Sequence, residues 1–333
     1  MNRRNELSED DRRAEDMHAQ AIVIDAACPL VTAKGIVKHL SALKEGGISC
    51  AFGTVASIEQ ARYALGSLGE WYSRARELSS VLTLAMTAAD IEAAKREGRL
   101  AVVLHFQGGA PLEYDPHLVE VFYRLGVRVI QLTYNERNPL GDGCTERVDG
   151  GLSKLGLEVI AEMNRLGMIV DLAHVGYRTS MEAIEACQTP MIVSHANARA
   201  LHNSPRNILD DLLRSVAEHD GVVGVCAFPA FLTSGAATIE HLIDQIDYLS
   251  RLIGPEHVGL GFDFSDETAE DYAYFRYDSS VYPEPPWVYP AGIRGFDETR
   301  NVTRHLVARG YSDRDILNIL GANFLRVFRR VCG

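Results

Sequence analysis

The sequence predicts a single α/β domain of the (β/α)8 TIM-barrel type, and three observations carry that prediction. Short apolar runs alternate with longer amphipathic segments along the 333 residues. Eight such runs can be counted, which favours a closed parallel barrel over a doubly wound open sheet. Two of the runs, Gly167-Met-Ile-Val-Asp-Leu-Ala-His174 and Pro190-Met-Ile-Val-Ser-His195, end in a histidine, where functional residues at the C-terminal mouth of such a barrel belong. A chain that is 47% hydrophobic has enough apolar content for a core of this size, so residues 1–333 are expected to form one domain.

The predicted strands are 21–25, 48–55, 100–106, 128–133, 168–172, 191–194, 221–227 and 257–261. Most are short apolar runs, as strands covered on both faces require. Helix-like spacing of apolar residues marks 58–82, 115–125, 153–166, 179–186, 209–218 and 239–252. The C-terminal stretches 299–309 and 312–331 read as two closing helices, with Ser312 capping the second ahead of Asp313 and Asp315. Residues 272–290 are rich in Tyr, Pro and Trp and cannot form a regular helix through Pro283, Pro285 and Pro286. They are read as an active-site lid or an oligomer contact, which makes a homodimer a candidate assembly. The glycine-rich loop 138–151 lacks a strand-to-helix phosphate signature and is read as a surface or gating loop.

Charge and composition narrow the partners. The net charge is −12 and the lysines and arginines are scattered, which argues against a polyanionic partner such as nucleic acid. Residues 1–10 carry no apolar export segment, and no later stretch offers the roughly 18 apolar residues of a membrane span; the expectation is a cytoplasmic protein. The six cysteines, Cys28, Cys50, Cys144, Cys187, Cys226 and Cys332, fall at wide and irregular spacings, unlike a disulfide framework. Cys50 and Cys226 lie in apolar runs and behave as small hydrophobes, and no CxxC pair supports a thiolate metal site. His174 and His195 remain, two imidazoles at strand ends whose neutral nitrogens can share one Zn²⁺.

Further motifs extend the pattern: Phe122-Tyr-Arg-Leu-Gly-Val-Arg-Val-Ile-Gln-Leu-Thr-Tyr-Asn, Gly150-Gly-Leu-Ser, Glu162-Met-Asn-Arg-Leu-Gly-Met-Ile-Val-Asp-Leu-Ala-His, Val193-Ser-His-Ala-Asn-Ala-Arg-Ala, Pro205-Arg-Asn and Gly259-Leu-Gly-Phe-Asp-Phe. Together they resemble the membrane (renal) dipeptidase family of metal-dependent amidohydrolase-like barrels, over roughly residue 21 to the C-terminus. The resemblance implies that His174 and His195 are zinc ligands, that Asp263 assists proton transfer and that Arg206 grips a substrate carboxylate. It also exposes departures. The first-strand His and Asp ligands are replaced by Ala27 and Pro29, the bridging glutamate by Gln107, and a substrate-side histidine by Tyr134.

Two dications need a carboxylate between them, and a neutral amide cannot supply that charge. The expectation is therefore one zinc per chain, on His174, His195 and a third oxygen donor, with Gln107 or Asp263 the candidates. Tyr134 is read as a donor to a developing oxyanion and as a substrate contact, or else as an aromatic packing the mouth. Arg206 is read as the carboxylate fork or as a loop anchor, Asp263 as the proton carrier or an ion-pair partner. His105 is a ligand or a hydrogen-bonded core residue, and Asp25 a structural support. The expected function is zinc-dependent hydrolysis of the amide bond of a dipeptide or similar small carboxylate-bearing substrate. The alternatives are hydrolysis of another C–N bond, in an N-acyl or N-methyl amino acid derivative, and a non-catalytic binding relative.

Overall fold

Among the described residues nine strands form one sheet: β1 (Val23–Cys28), β2 (Ile48–Ala56), β3 (Leu82–Leu84), β4 (Leu100–Phe106), β5 (Val127–Gln131), β6 (Ile169–Asp171), β7 (Ile192–Val193), β8 (Val222–Val225) and β9 (Val258–Leu260). The computed structural model describes residues 8–333, so most of the segment 1–10, read as lacking an export signal, lies outside the described residues. All pairings are parallel, in the order β2-β1-β9-β8-β7-β6-β5-β4, and β2 also pairs with β4. That last pairing closes eight strands into the barrel the sequence predicts. The ninth, β3, pairs Leu82 with Leu100 at the start of β4, while β5 joins β4 only from Leu104 onward. Three residues are too few to show a period, which is why β3 has no sequence signature.

Helices follow the strands, and their ends obey capping chemistry. Helix Lys154–Leu166 starts at Ser153, whose Oγ accepts the Gly156 N–H at 3.0 Å, and stops at Gly167, left-handed at φ +74°. Ser312 likewise accepts from the Asp315 N–H. The expected segment 58–82 is shorter than its periodicity implies, forming helix Ala61–Glu77 and then turning into β3. The expected tail helix 312–331 is interrupted by a five-residue π turn, Asn318–Ala322. There Gly321 passes so close to the Ile22 carbonyl that no side chain would fit.

The last helix, Asn323–Cys332, plugs the bottom of the barrel. Phe324 and Phe328 rise into the interior and meet Phe52 of β2, at ring-centroid distances of 6.0 and 6.4 Å. Gly259 of β9 admits the Phe324 ring, since a Cβ there would overlap it. Above Phe52 stands His105, at 6.3 Å between centroids. The interior therefore changes from apolar at the bottom to polar one layer up, and the mouth lies above that. No helix among the described residues is long and apolar enough to cross a membrane, and all six cysteines are free.

Candidate active site at the barrel mouth

The floor of the site is a buried histidine set against a buried carboxyl. His105 Nε2 lies 3.1 Å from Asp171 Oδ2, both side chains fully buried. The other oxygen, Asp171 Oδ1, accepts the N–H groups of Ala173 (3.0 Å) and Ser194 (2.9 Å), tying β6 to β7. Burial alone would raise the Asp171 carboxyl, but His105, with His195 beyond it, holds it below its ordinary value. His105 is thus a buried residue set against Asp171, with no hydrogen-bond partner of good geometry on either ring nitrogen. Removing the Asp171 carboxyl leaves the Ala173 and Ser194 N–H groups without an acceptor. Asp171→Ala is therefore expected to lower the unfolding free energy by about 2–6 kcal/mol, at roughly 1–3 kcal/mol for each buried donor left unpaired, read by urea denaturation.

His174 and His195 stand directly above. Each follows a strand, β6 and β7, and their Nε2 atoms face one another at 2.8 Å. Each ring is held from behind, His174 Nδ1 by Asn135 Oδ1 at 2.7 Å and His195 Nδ1 by Ser194 Oγ at 2.7 Å. An amide oxygen only accepts, so His174 carries its proton on Nδ1 and presents a lone pair at Nε2. Burial first and the Arg206 charge second push both imidazoles well below the ordinary histidine value; both are neutral at neutral pH. Three residues here, Asn135, His174 and Asp263, adopt the left-handed backbone region at φ +59°, +62° and +59°. Strain of this kind, of order 1–3 kcal/mol per residue, is tolerated where geometry matters more than stability.

An aromatic wall covers the pair. Tyr134 stacks on the His174 ring at 4.3 Å, its hydroxyl 2.8 Å from that of Tyr277, and the Tyr277 hydroxyl donates to Glu267 Oε1 at 3.2 Å. Because Tyr277 spends its proton on Glu267, Tyr134 donates to Tyr277. Tyr282 stacks on Tyr277 at 4.4 Å and donates to Asn135 Oδ1 at 3.0 Å. Tyr277 and Tyr282 belong to the 272–290 segment, which packs over the mouth against Tyr134 and Asn135.

Arg206 is buried beside this wall. Its Nε donates to the Tyr282 hydroxyl at 3.0 Å, Nη2 reaches the His195 carbonyl at 3.4 Å, and the guanidinium lies 5.2 Å from the Phe231 ring centre. It makes no ion pair among the described residues. Asp263 follows β9, its Oδ2 4.0 Å from Cys226 Sγ. Burial raises its carboxyl to about 8, with Glu267 and Asp25 adding to the rise and Arg206 opposing it. Asp25 supports the site, as expected: its Oδ1 accepts the Ala27 and Phe262 N–H groups, and burial lifts its carboxyl to about 7. Gln107, just past β4, donates from Nε2 to Thr54 Oγ1 at 2.8 Å. It lines a groove of about 1270 Å³ together with Tyr134, Glu267 and Phe275.

Two neutral imidazole nitrogens, each held by a partner on its far side, face each other at 2.8 Å, and ligand imidazoles are oriented by such partners. No group of three His, Cys, Asp or Glu residues converges among the described residues, so any further donor to a cation there would come from a neutral side chain, water or substrate. The groups that orient the histidines, Asn135, Ser194 and Asp171, are not picked out by sequence reasoning. For Asp171 a signal existed, since the run ending in His174 has Asp three residues earlier, as the first run ends in Asp25.

A closed parallel barrel with paired imidazoles and a carboxyl at its strand ends defines a class of barrel whose working residues sit at the C-terminal mouth. Within that class the chain belongs to the membrane dipeptidase family, peptidase family M19, whose sequence profile matches residues 12–284. It is 32% identical over 235 residues to the dipeptidase aclJ of Aspergillus oryzae, covering 69% of this chain and 51% of that one. Against the dipeptidase verJ of Clonostachys rogersoniana it is 28% identical over 278 residues, 83% of this chain and 67% of the relative. The chain thus matches about half to two thirds of the length of these curated relatives. The fold is shared with an amidohydrolase from Pseudomonas aeruginosa at a TM-score of 0.88 and 34% identity, covering 96% of this chain and 98% of that one.

Proposed function

We propose that this chain is a metal-dependent hydrolase that cleaves the amide bond of a dipeptide, or of a similarly small substrate with a free carboxylate. The observation that carries the reading is the pair of neutral imidazoles, Nε2 to Nε2 at 2.8 Å, beside a buried arginine without an ion-pair partner. One divalent cation per chain would be held by His174 and His195, with Gln107 as the third donor; zinc suits two imidazoles and an oxygen donor. Bound there, it would supply Lewis acidity toward the scissile carbonyl or a water.

The chain's own residues do the rest. Arg206 forms a bidentate pair with the substrate carboxylate, in a setting dry enough to make the pair strong. Asp263, protonated at neutral pH, passes its proton to the departing amine nitrogen and recovers one from the attacking water. Tyr134 donates to the developing oxyanion once its hydroxyl leaves Tyr277. The tyrosine wall excludes bulk water while this happens. Six free cysteines accord with a reducing, cytoplasmic setting.

The breadth of the groove also accommodates an N-acyl substituent, so an N-acyl amino acid is the second reading. A panel of dipeptides and N-acyl amino acids, assayed with and without added zinc, tests the proposal; hydrolysis of neither class would end it. Arg206 gives a sharper check. Arg206→Lys is expected to raise KM for carboxylate-bearing substrates by roughly tenfold or more, the scale of a lost charge-assisted hydrogen bond, while their amidated analogues change little. Equal losses on both would make Arg206 a loop anchor.

A further inference from the structure

We propose that Glu267 receives the free α-ammonium group of the substrate, so that the mouth binds a zwitterion with Arg206 at its carboxylate end. The inference rests on the hydrolase reading above and names the substrate class within it.

Glu267 has an unfinished environment. Its Oε1 accepts from Tyr277, but Oε2 is buried with no hydrogen-bond partner. A buried polar atom left this way is costly, and more so on a group that can carry charge. The charges around it do not balance it either. The neighbouring cation Lys38 pairs with Asp266, Arg276 pairs with Glu136, and Glu267 makes no ion pair among the described residues. Apart from the Ser265 hydroxyl, what faces it is acidic or phenolic: Asp263, Asp266, Asp271, Tyr134 and Tyr277. Burial, Asp271 and Asp266 raise the Glu267 carboxyl, and Glu267 in turn adds to the rise of Asp263, a situation that a bound cation relieves.

The position of the residue says which cation. Glu267 lines the groove with Gln107 and Tyr134, and Tyr134 lies on His174. Arg206 and Glu267 flank one stacked pair of tyrosines: Arg206 donates to the Tyr282 hydroxyl, the Tyr277 hydroxyl donates to Glu267, and the two rings are 4.4 Å apart. Arg206 lines the cavity beside His174, and the half-buried Glu267 lines the groove beside Gln107 and Tyr134, on the two sides of the tyrosine stack. Each is held by a tyrosine and makes no ion pair among the described residues, so a small molecule reaching past the stack with an ammonium at one end and a carboxylate at the other would complete both. A molecule whose amine is acylated leaves Glu267 unpaired.

The test compares L-alanyl-L-alanine with N-acetyl-L-alanyl-L-alanine on the full-length protein, by calorimetric binding and by hydrolysis. The free dipeptide is expected to bind roughly tenfold or more tightly than its acetylated form, the range of a hydrogen bond to a charged group. Glu267→Gln, which keeps shape and the acceptor for Tyr277, brings that ratio close to one; Glu267→Asp keeps part of it; Asp266→Asn leaves it unchanged. Binding with this Glu267-dependent preference but without hydrolysis upholds the inference and removes the hydrolase reading. Hydrolysis with a ratio that Glu267→Gln does not alter, or no preference for the free amine in either measurement, overturns the inference.

Discussion

Substituting alanine for His195 is expected to abolish turnover and cation binding together while leaving the barrel folded. The residue supplies one of only two imidazole nitrogens, and no third His, Cys, Asp or Glu converges to replace it among the described residues. Lewis-acid stabilisation is worth several kcal/mol, and each 1.36 kcal/mol is tenfold in rate. The loss is therefore on the order of 10³-fold or more. Ser194→Ala, which frees the far side of the same ring, is the graded counterpart; the loss of an orienting partner costs roughly 10- to 100-fold in metal affinity. Steady-state kinetics and zinc titration on both variants check the pair. Full activity in His195→Ala would mean that the facing imidazoles are only a hydrogen-bonded core pair.

Asp263→Asn is expected to lower kcat by roughly 100-fold or more, the usual scale for losing a general acid–base group, with cation content unchanged. The same variant carries a stability signature whose sign follows from the raised carboxyl. With a folded value of about 8 against an ordinary value of 3.8, the folded state binds more protons than the unfolded state between those limits. Stability contributed by the group is complete below the ordinary value and is lost as pH rises toward 8. Asp263→Asn removes that part of the slope, so its stability falls less than that of the parent protein between pH 5 and 9. Asp25, raised to about 7, adds a decline of the same sign in both proteins. Urea denaturation across pH measures the difference; parallel curves would show that Asp263 is ionised in the folded protein.

The barrel was legible because a parallel strand covered on both faces must be apolar throughout. The seven predicted strands from β2 onward, β3 apart, sit within a few residues of their observed positions, and β1 runs past Asp25 to Cys28. Elements without a wide apolar stripe were not legible. Helix Glu9–Gln20 buries only Ala14 and His18, and its hold on the barrel includes two hydrogen bonds from the His18 ring, to Thr303 and to the Gly46 carbonyl. Helix Ala88–Arg96 packs through Ala88, Ile91 and Ala94, too small a set to show a period. At the site, strand-end placement marks His174 and His195, whereas Asn135 and Glu267 act through bonds to other segments and Ser194 through a bond to its neighbour. For Asn135 and Glu267 nothing local in the sequence says so, whereas Ser194 could have been read from its place beside His195. The prolines of the 272–290 segment did show that it could not be helical throughout, but not that Tyr277 and Tyr282 would link Glu267 to Arg206.

The functional proposal depends on a single cation held by His174 and His195. Elemental analysis of protein purified without chelator and dialysed against metal-free buffer, then titrated with zinc, tests it directly. The account predicts a limit of one tightly bound divalent ion per chain, lost in His195→Ala. Two equivalents retained through dialysis, or one equivalent that survives the loss of His195, would contradict it.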